Sequence, residues 1–369
     1  MLLSRQPVQS FALAALIFSS PAYAQPRVPE WTLTRLYSVG AESDTVVLQR
    51  VQSLQLLHDR RLLIADAGAR SILVVDSMGR GRRPLGRAGS GPGEYQSPQA
   101  LGTIGDTIAV LDPRNGRIGL FAGNGTWQGS WTAPPITGGS YVRLYRVPGP
   151  EFYTPGVRRT ASAPRSTFIH FDARGARDTL VPDPVPSPPD AGAMCEGSDR
   201  GIRFFPAAFQ SRHLRIPGPR RTLLDAEMSA YRIVQHTLAG NTVATFTGPS
   251  VRVPISDAEW DSAGAEFASY LKQDAKAKCS TRSLVRPSHK PAIRAFWWDD
   301  AGRLWVERYV VGGFVFDVFD PRGVRVASMR APERVSEVEP SVVGNRIVLL
   351  RATPDGSHVV HVYRFGPLR

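Results

Sequence analysis

The sequence predicts an all-β fold, a six-bladed β-propeller with one inserted helix and a long irregular loop insertion. A strand-and-turn pattern near the start of the chain repeats itself 46 positions later, so that Asp66 aligns with Asp112 and Ile72 with Ile118. Short alternating strands and tight turns that recur about every 40 to 50 residues are typical of propeller blades. We therefore expect each repeat to form one blade.

Six such units follow one another along the chain. Each contains strand-like runs of alternating apolar residues that are bounded by Gly, Asn, Asp or Pro turns. We take the clearest strands of the six units to be residues 53–75, 105–121, 168–175, 233–246, 297–320 and 344–365. The apolar run at residues 31–37 precedes the first unit, and we expect it to add a strand to the last blade and close the ring.

Two stretches depart from the repeat and are predicted to be insertions. Residues 181–221 are rich in Pro and Arg and have no period, so we expect a long loop system there. Residues 256–278 have helical spacing, with Ser256 as N-cap and Glu259 at the capping-box position. The predicted apolar face of this helix consists of Trp260, Ala263, Phe267, Tyr270 and Leu271.

The first 24 residues have the pattern of a secretory signal peptide. Arg5 supplies a positive charge, residues 11–18 are apolar, and Ala22-Tyr23-Ala24 is a small-x-small cleavage site before Gln25. A transmembrane anchor is the alternative, but a span needs about 20 apolar residues. We therefore predict a signal peptide at residues 1–24, a single propeller domain at 25–369, and a secreted or periplasmic location.

Two cysteines, Cys195 and Cys279, remain after the predicted cleavage. An even number of cysteines in an exported protein favours a disulfide, here one that would join the two insertions. Both residues lie in stretches that we expect to be irregular. Two buried, unpaired thiols are the alternative. A zinc site is disfavoured because neither cysteine has a partner at ligand spacing.

The chain is basic, with 45 Lys and Arg against 32 Asp and Glu, a formal net charge of +13. Basic proteins often bind anions, although an arginine-rich composition is also typical of a GC-rich genome. The arginine fork suits carboxylate and phosphate groups. The candidate residues for holding an anionic ligand lie in or beside the two insertions and are Arg212, Arg215, Arg220, Arg221, Lys290 and Arg294.

Residues 66–121 resemble the NHL repeat family. The resemblance lies in the glycine-rich turn at 86–93, the Gly-Pro-Gly-Glu-Tyr run that ends at Tyr95, and the Asn-Gly-Arg-Ile run at 115–118. It implies a six-bladed propeller similar to exported bacterial propellers of undefined role. We expect the glycine-rich turn to be structural, since a strand and not a helix follows it. We also expect Asp66 and Asp112 to cap turns, and Arg117 to bridge blades.

Two functions remain open at this stage. The first is a binding or interaction scaffold for a protein, an anionic small molecule or a glycan. The second is a hydrolase or lyase with a site at the central channel, because the resemblance includes lyases that hold a metal with histidines from several blades. None of the seven histidines forms a metal signature, so we favour the scaffold. We predict no cofactor, no metal, no nucleic-acid partner, no membrane span after cleavage, and a monomer.

Overall fold

A computed structural model describes residues 28–41, 44–134, 143–158, 165–183, 192–281, 284–335, 337–353 and 355–367. The predicted signal peptide lies outside the described residues. The elements of the first half of the chain are β1 (Trp31–Val39), blade one with β2 (Val51–Leu56), β3 (Leu62–Asp66), β4 (Ser71–Val75) and β5 (Arg82–Leu85), a parallel pair β6 (Arg87–Ala88) and β7 (Glu94–Tyr95), blade two with β8 (Ala100–Ile104), β9 (Thr107–Asp112), β10 (Arg117–Phe121) and β11 (Trp127–Thr132), and blade three with β12 (Tyr145–Arg146), β13 (Phe152–Arg158), β14 (Arg165–Asp172) and β15 (Gly175–Leu180).

The second half begins with an inserted hairpin and continues with three more blades. Its elements are the hairpin strands β16 (Gly192–Glu196) and β17 (Ile202–Pro206), blade four with β18 (His213–Gly218), β19 (Thr222–Glu227), β20 (Arg232–His236) and β21 (Thr242–Thr247), the helices α1 (Asp257–Ala263) and α2 (Ala265–Gln273), the strand β22 (Lys278–Ser280), blade five with β23 (Ala295–Trp298), β24 (Leu304–Val310), β25 (Gly313–Phe319) and β26 (Arg325–Ala331), and blade six with β27 (Ser341–Val343), β28 (Arg346–Ala352) and β29 (His358–Pro367). Two single 3-10 turns lie at Pro113–Asn115 and Pro219–Arg221.

The first strand of the chain completes the last blade. β1 pairs antiparallel with β29, from Trp31 opposite Pro367 to Val39 opposite Val360. Blade six therefore has four strands in the order β1-β29-β28-β27, like the other five blades. This confirms the predicted closure, which protects a strand edge that would otherwise be open.

The hydrophobic core lies between the blades. Leu54 and Ile64 of blade one pack with Val348 and Val362 of blade six in one buried cluster. Similar clusters join blades one and two, two and three, and five and six, and a larger one joins blades three, four and five. Because each sheet packs against a neighbouring sheet on both of its faces, buried apolar residues occur on both faces of the blades.

The repeated aspartates are structural, and the predicted turn cap is confirmed for Asp66, whereas Asp112 makes no side-chain cap hydrogen bond to the backbone of the turn at 113–115. Asp66 is buried at the end of β3 and accepts hydrogen bonds from the backbone N–H groups of Gln49, Arg50, Gly68 and Ala69. Asp112 at the end of β9 accepts from the N–H groups of Gln96 and Ser97 in the same way. Each carboxylate thus anchors the chain that leads into its blade. The aspartate therefore recurs in the sequence because the same backbone contacts recur in the two blades.

The glycine-rich turn between blades one and two is also structural. Glu94 accepts hydrogen bonds from the Gly91 N–H at 2.8 Å and from Arg87 Nε at 2.7 Å. Arg117 of blade two donates from Nη2 to the carbonyl oxygens of Gly91 and Glu94. Arg117 therefore joins blade two to the turn that leads into it from blade one, and not directly to blade one.

The 181–221 insertion is more regular than predicted. It contains the hairpin β16–β17, and its last part, β18, is the first strand of blade four. The two cysteines are also in strands and not in irregular segments: Cys195 of β16 lies directly opposite Cys279 of β22. They form the predicted disulfide, with Cα atoms 4.1 Å apart. The proline-rich residues on both sides of this hairpin explain why the sequence predicts a loop there and not strands.

The predicted helix is shorter and is divided into two. Ser256 and Glu259 form the expected capping box at the start of α1. However, α1 ends at Ala263, α2 runs from Ala265 to Gln273, and Gly264 lies between them. Ala263 and Leu271 of the predicted apolar face are exposed.

The packing of α2 explains this outcome. Phe205 of β17 packs on Phe267 and Tyr270, with ring centroids 5.2 and 5.0 Å apart. The guanidinium of Arg203 lies 4.9 Å from the centroid of the Tyr270 ring. The helix therefore covers one face of the small inserted sheet through two aromatic side chains. A broader apolar face is not needed for this contact.

Candidate functional site

Two cavities lie at opposite ends of the ring axis, where the first strands of the blades come together. One, of about 550 Å³, is lined by the hairpins that follow the first strands, including Leu57–Asp59 and Val147–Glu151. We call it the hairpin-side cavity. The other, of about 520 Å³, is lined by the starts of β2 and β8 and by residues 335 and 337–339, which lead into blade six. We call it the connection-side cavity.

Arg146 lines both cavities and lies between them. From blade three it reaches across the axis, where its Nη1 donates to the Leu54 carbonyl oxygen of blade one at 2.8 Å. Its Nη2 donates to Glu339 Oε1 at 2.9 Å and to the Pro340 carbonyl oxygen at 2.8 Å. Together with the carbonyl oxygens of Leu54, Glu339 and Pro340, this ion pair holds Arg146 between the two cavities and gives the connection-side cavity a polar floor.

The connection-side cavity combines apolar walls with a few polar groups. Its apolar lining residues are Val51, Ala100, Leu144, Val335 and Val338. Its polar lining residues are Gln52, Ser53, Gln99, Arg143, Arg146, Glu337, Glu339 and His358. Its volume and composition are typical of sites that hold a small molecule and orient it through a few polar contacts.

His358 offers a defined hydrogen-bond donor at this cavity. Its Nδ1 accepts a hydrogen bond from the Val51 N–H at 3.0 Å. Because an accepting ring nitrogen carries no proton, the neutral imidazole must carry its hydrogen on Nε2. Burial lowers the pKa of His358 although the Asp66 carboxylate acts in the opposite direction. The neutral ring with an Nε2–H group is therefore favoured.

Arg143 is the second notable group of this cavity. Its guanidinium lies 5.5 Å from the centroid of the Tyr145 ring. Among the residues that the structure describes, it has no carboxylate within ion-pair distance, in contrast to Arg146. Arg143 can therefore offer its donors to a bound molecule.

The hairpin-side cavity is richer in carboxylates, but protein groups occupy most of them. Asp299 accepts from Arg303 Nε and Trp305 Nε1, at 2.6 and 2.8 Å. Glu151 contacts His170 Nε2 at 2.8 Å, and the other ring nitrogen of His170 lies 3.2 Å from Asp178. These contacts fix the loops between neighbouring strands and blades.

The six predicted anion-binding residues do not line either axial cavity within the described part of the chain. Four of them pair with four different carboxylates. Arg215 binds both oxygens of Asp225, Arg221 lies 2.5 Å from Asp178, Lys290 pairs with Glu259 of α1, and Arg294 lies 2.9 Å from Glu307. They form several ion pairs, and the anion site that we predicted from them stays a prediction.

Some of these cations are nevertheless close together. Arg220 and Arg221 form the tip of the β18–β19 hairpin, both with positive φ, 55° and 61°. Arg220 is exposed, and its N–H donates to Glu151 at 3.3 Å. Lys290 and Arg294 lie over the Tyr309 and Phe314 rings, respectively, which contact each other at 5.4 Å. Arg212 is exposed beside blade four.

Sequence reasoning missed the residues that surround the connection-side cavity. Arg143 lies more than 190 positions before Glu339 and His358, and none of the three belongs to a local motif. Two histidines of β29 have different surroundings: His358 lines the cavity, whereas His361 is buried and contacts Ser38 of β1.

Comparisons with known proteins agree with this architecture. Residues 42–120 match the DUF5128 family model, which is described as a 6-bladed beta-propeller. The matched region covers blade one and most of blade two, and four more blades of the same form follow it. The chain is a six-bladed β-propeller. A comparison with curated proteins gives no significant match.

Solved structures that resemble the propeller are distant in sequence. A putative exported protein from Bacteroides fragilis is 12% identical with a TM-score of 0.47, covering 93% of this chain and 96% of its own. A DUF4221 protein from Bacteroides vulgatus is 10% identical with a TM-score of 0.44, covering 93% and 100%. Virginiamycin B lyase from Staphylococcus aureus is 12% identical with a TM-score of 0.38, covering 90% and 99%. The fold assignment depends on the six sheets and not on these overlaps.

The described residues contain no group of three or more His, Cys, Asp or Glu side chains arranged to hold a metal ion. No helix among them is long and apolar enough to cross a membrane.

Proposed function

We propose that this propeller is an exported binding protein that holds a small polar ligand in the connection-side cavity. The observation that carries the proposal is the Arg146–Glu339 pair, because Arg146 lies between the two axial cavities. A side chain between the two cavities separates them into two pockets, and a pocket of about 520 Å³ can surround a small molecule.

Export is supported by two independent features. The sequence pattern at residues 1–24 is that of a signal peptide. The disulfide between Cys195 and Cys279 is of the kind that persists in oxidising compartments. Both features favour a periplasmic or secreted protein.

A screen of small molecules against the mature chain from Gln25 tests the binding proposal. Molecules that raise the melting temperature would be measured by calorimetry against Gln52→Trp, which places an indole at the cavity, and against Gln128→Trp. Gln128 is an exposed residue of the outermost strand of blade two and serves as the matched control. We expect Gln52→Trp to weaken binding at least tenfold and Gln128→Trp to leave it unchanged. Equal binding by both variants would disprove a site in this cavity.

As a second and separate proposal, the six cationic residues near the insertions bind an anionic ligand. Its support is that Arg212 and Arg220 are exposed and that, among the described residues, neither guanidinium forms an ion pair with a carboxylate. Reversal of both charges, Arg212→Glu with Arg220→Glu, should weaken the binding of an acidic metabolite or glycan and leave the melting temperature of the free protein almost unchanged. Unaltered binding would remove this surface from consideration.

A further inference from the structure

The charged residues of the connection-side cavity are separated by sign across the ring. Arg143 belongs to the segment that leads into blade three, and Glu337 and Glu339 belong to the segment that leads into blade six. In a ring of six blades, blades three and six face each other across the axis. One wall of the cavity is therefore cationic and the opposite wall is acidic.

The charges of this lining also balance. Arg143 and Arg146 are guanidinium groups, Glu337 and Glu339 are carboxylates, and His358 is favoured in its neutral form by its contact with Val51. Arg146 and Glu339 bind each other in the floor through one carboxylate oxygen, Oε1. A lining with no net charge but with opposite charges on facing walls suits a ligand that itself has no net charge and two charged ends.

Each wall has the chemistry that one end of such a ligand requires. The guanidinium of Arg143 presents a planar set of donors that matches a carboxylate. On the other wall, a carboxylate offers about four lone-pair positions, so Glu337 and Glu339 can accept further hydrogen bonds from an ammonium group. The Nε2–H of His358 can donate to a carbonyl oxygen between the two ends.

We propose that the connection-side cavity binds small zwitterions, molecules that carry a carboxylate and a protonated amine, of the class of amino acids and short peptides. This inference rests on the proposed function, because it names the ligand class of the same cavity. The carboxylate of the ligand lies at Arg143, and its ammonium group lies at Glu337 and Glu339. Apolar parts of the ligand contact walls such as Leu144 and Val338.

A matched ligand series tests the inference directly. Free amino acids and dipeptides are screened by calorimetry against the mature protein, and the best dipeptide is compared with its N-acetylated form and its C-terminal amide. We expect each modification to weaken binding at least tenfold, because each removes one charge. Equal binding by all three forms, or no binding by any free dipeptide or amino acid, would overturn the zwitterion class.

Variants assign the two ends. Arg143→Gln should weaken the binding of the free dipeptide at least tenfold and change the binding of the C-terminal amide little. Glu337→Gln should also weaken the binding of the free dipeptide at least tenfold, and it should change the binding of the N-acetylated form little. Arg330→Gln, an exposed arginine of the outer strand of blade five, is the control. An Arg143→Gln variant that binds the free dipeptide as the wild type does would overturn the assignment. If other molecules bind and Gln52→Trp prevents it, the proposed function stands and only the zwitterion class is wrong.

Discussion

Arg334 and Glu307 form an ion pair inside the protein: Arg334 Nη2 lies 2.6 Å from Glu307 Oε2, and the two side chains are 1% and 0% exposed. Glu307 also receives Arg294 at 2.9 Å on its other oxygen. Arg334 donates further to the carbonyl oxygens of Val335 and Val338. The pair therefore fixes the segment that leads into blade six and lines the connection-side cavity.

Replacement of Glu307 by Ala should be strongly destabilising. Removal of one partner leaves buried charge without compensation, which costs about 3–5 kcal/mol of the free energy of unfolding. Chemical denaturation of the variant measures this loss. The double variant Glu307→Leu with Arg334→Met should lose much less than the sum of the two single changes. A Glu307→Ala variant within about 1 kcal/mol of the wild type would contradict the buried pair.

Replacement of Asp66 by Ala should also destabilise blade one. The change removes the acceptor of four backbone N–H groups, and each hydrogen bond to a charged group contributes about 1.5–3 kcal/mol. We expect a loss of about 3 kcal/mol or more in the free energy of unfolding. Asp106→Ala, at an exposed hairpin of blade two, is the control and should have little effect. Equal melting temperatures for both variants would show that Asp66 is not an anchor.

We expect the protein to lose stability in acid because of Asp225. Burial alone would raise the pKa of its carboxyl, but hydrogen bonds from Arg215 and His236 outweigh this effect and hold the pKa below its usual value of 3.8. His236 Nε2 lies 2.7 Å from Oδ2 of this carboxylate. Because the folded-state pKa is the lower one, this contribution is present above pH 3.8 and is lost as the pH falls through the folded-state pKa.

Denaturation at a series of pH values checks the sign. The Asp225→Asn variant should lose part of the acid dependence below about pH 4 and should be less stable than the wild type at pH 7. Glu227→Gln changes an exposed carboxylate at the end of the same strand and should leave the profile unchanged. A steeper acid dependence in Asp225→Asn would contradict the lowered pKa.

Removal of the disulfide should loosen the insertion. Cys195 and Cys279 are 84 positions apart, and a cross-link over such a long loop contributes about 2–4 kcal/mol by restricting the unfolded chain. We expect the Cys195→Ser and Cys279→Ser double variant to melt earlier and to show faster amide exchange in α2. The Ser198→Ala variant, which loses only hydrogen bonds to Asp274, is a milder comparison. Unchanged exchange in α2 would show that side-chain packing alone holds the insertion.

The sequence predicts most reliably what the blades share. Asp66 and Asp112 recur because each anchors its blade through equivalent backbone contacts. The sequence period is therefore clear in blades one and two, which share these contacts. The inserted hairpin was missed because its strands pair with each other and with β22 and follow no period. The candidate cavity was missed for a different reason. Arg143 comes from the segment before blade three and Glu339 and His358 come from blade six and its lead-in segment, so they line one cavity only when the ring closes.

The pairing of β1 with β29 also determines when the fold can be completed. The hydrogen bonds of Trp31 and its neighbours require partners near Pro367, at the other end of the chain. Contacts between such distant residues form late, because the entropy of closing the loop must be lost before any contact rewards it. Blade six therefore cannot be finished until the last strand has been synthesised. Blades one to five can begin to fold in order, but blade six is completed only when both β1 and β29 are present.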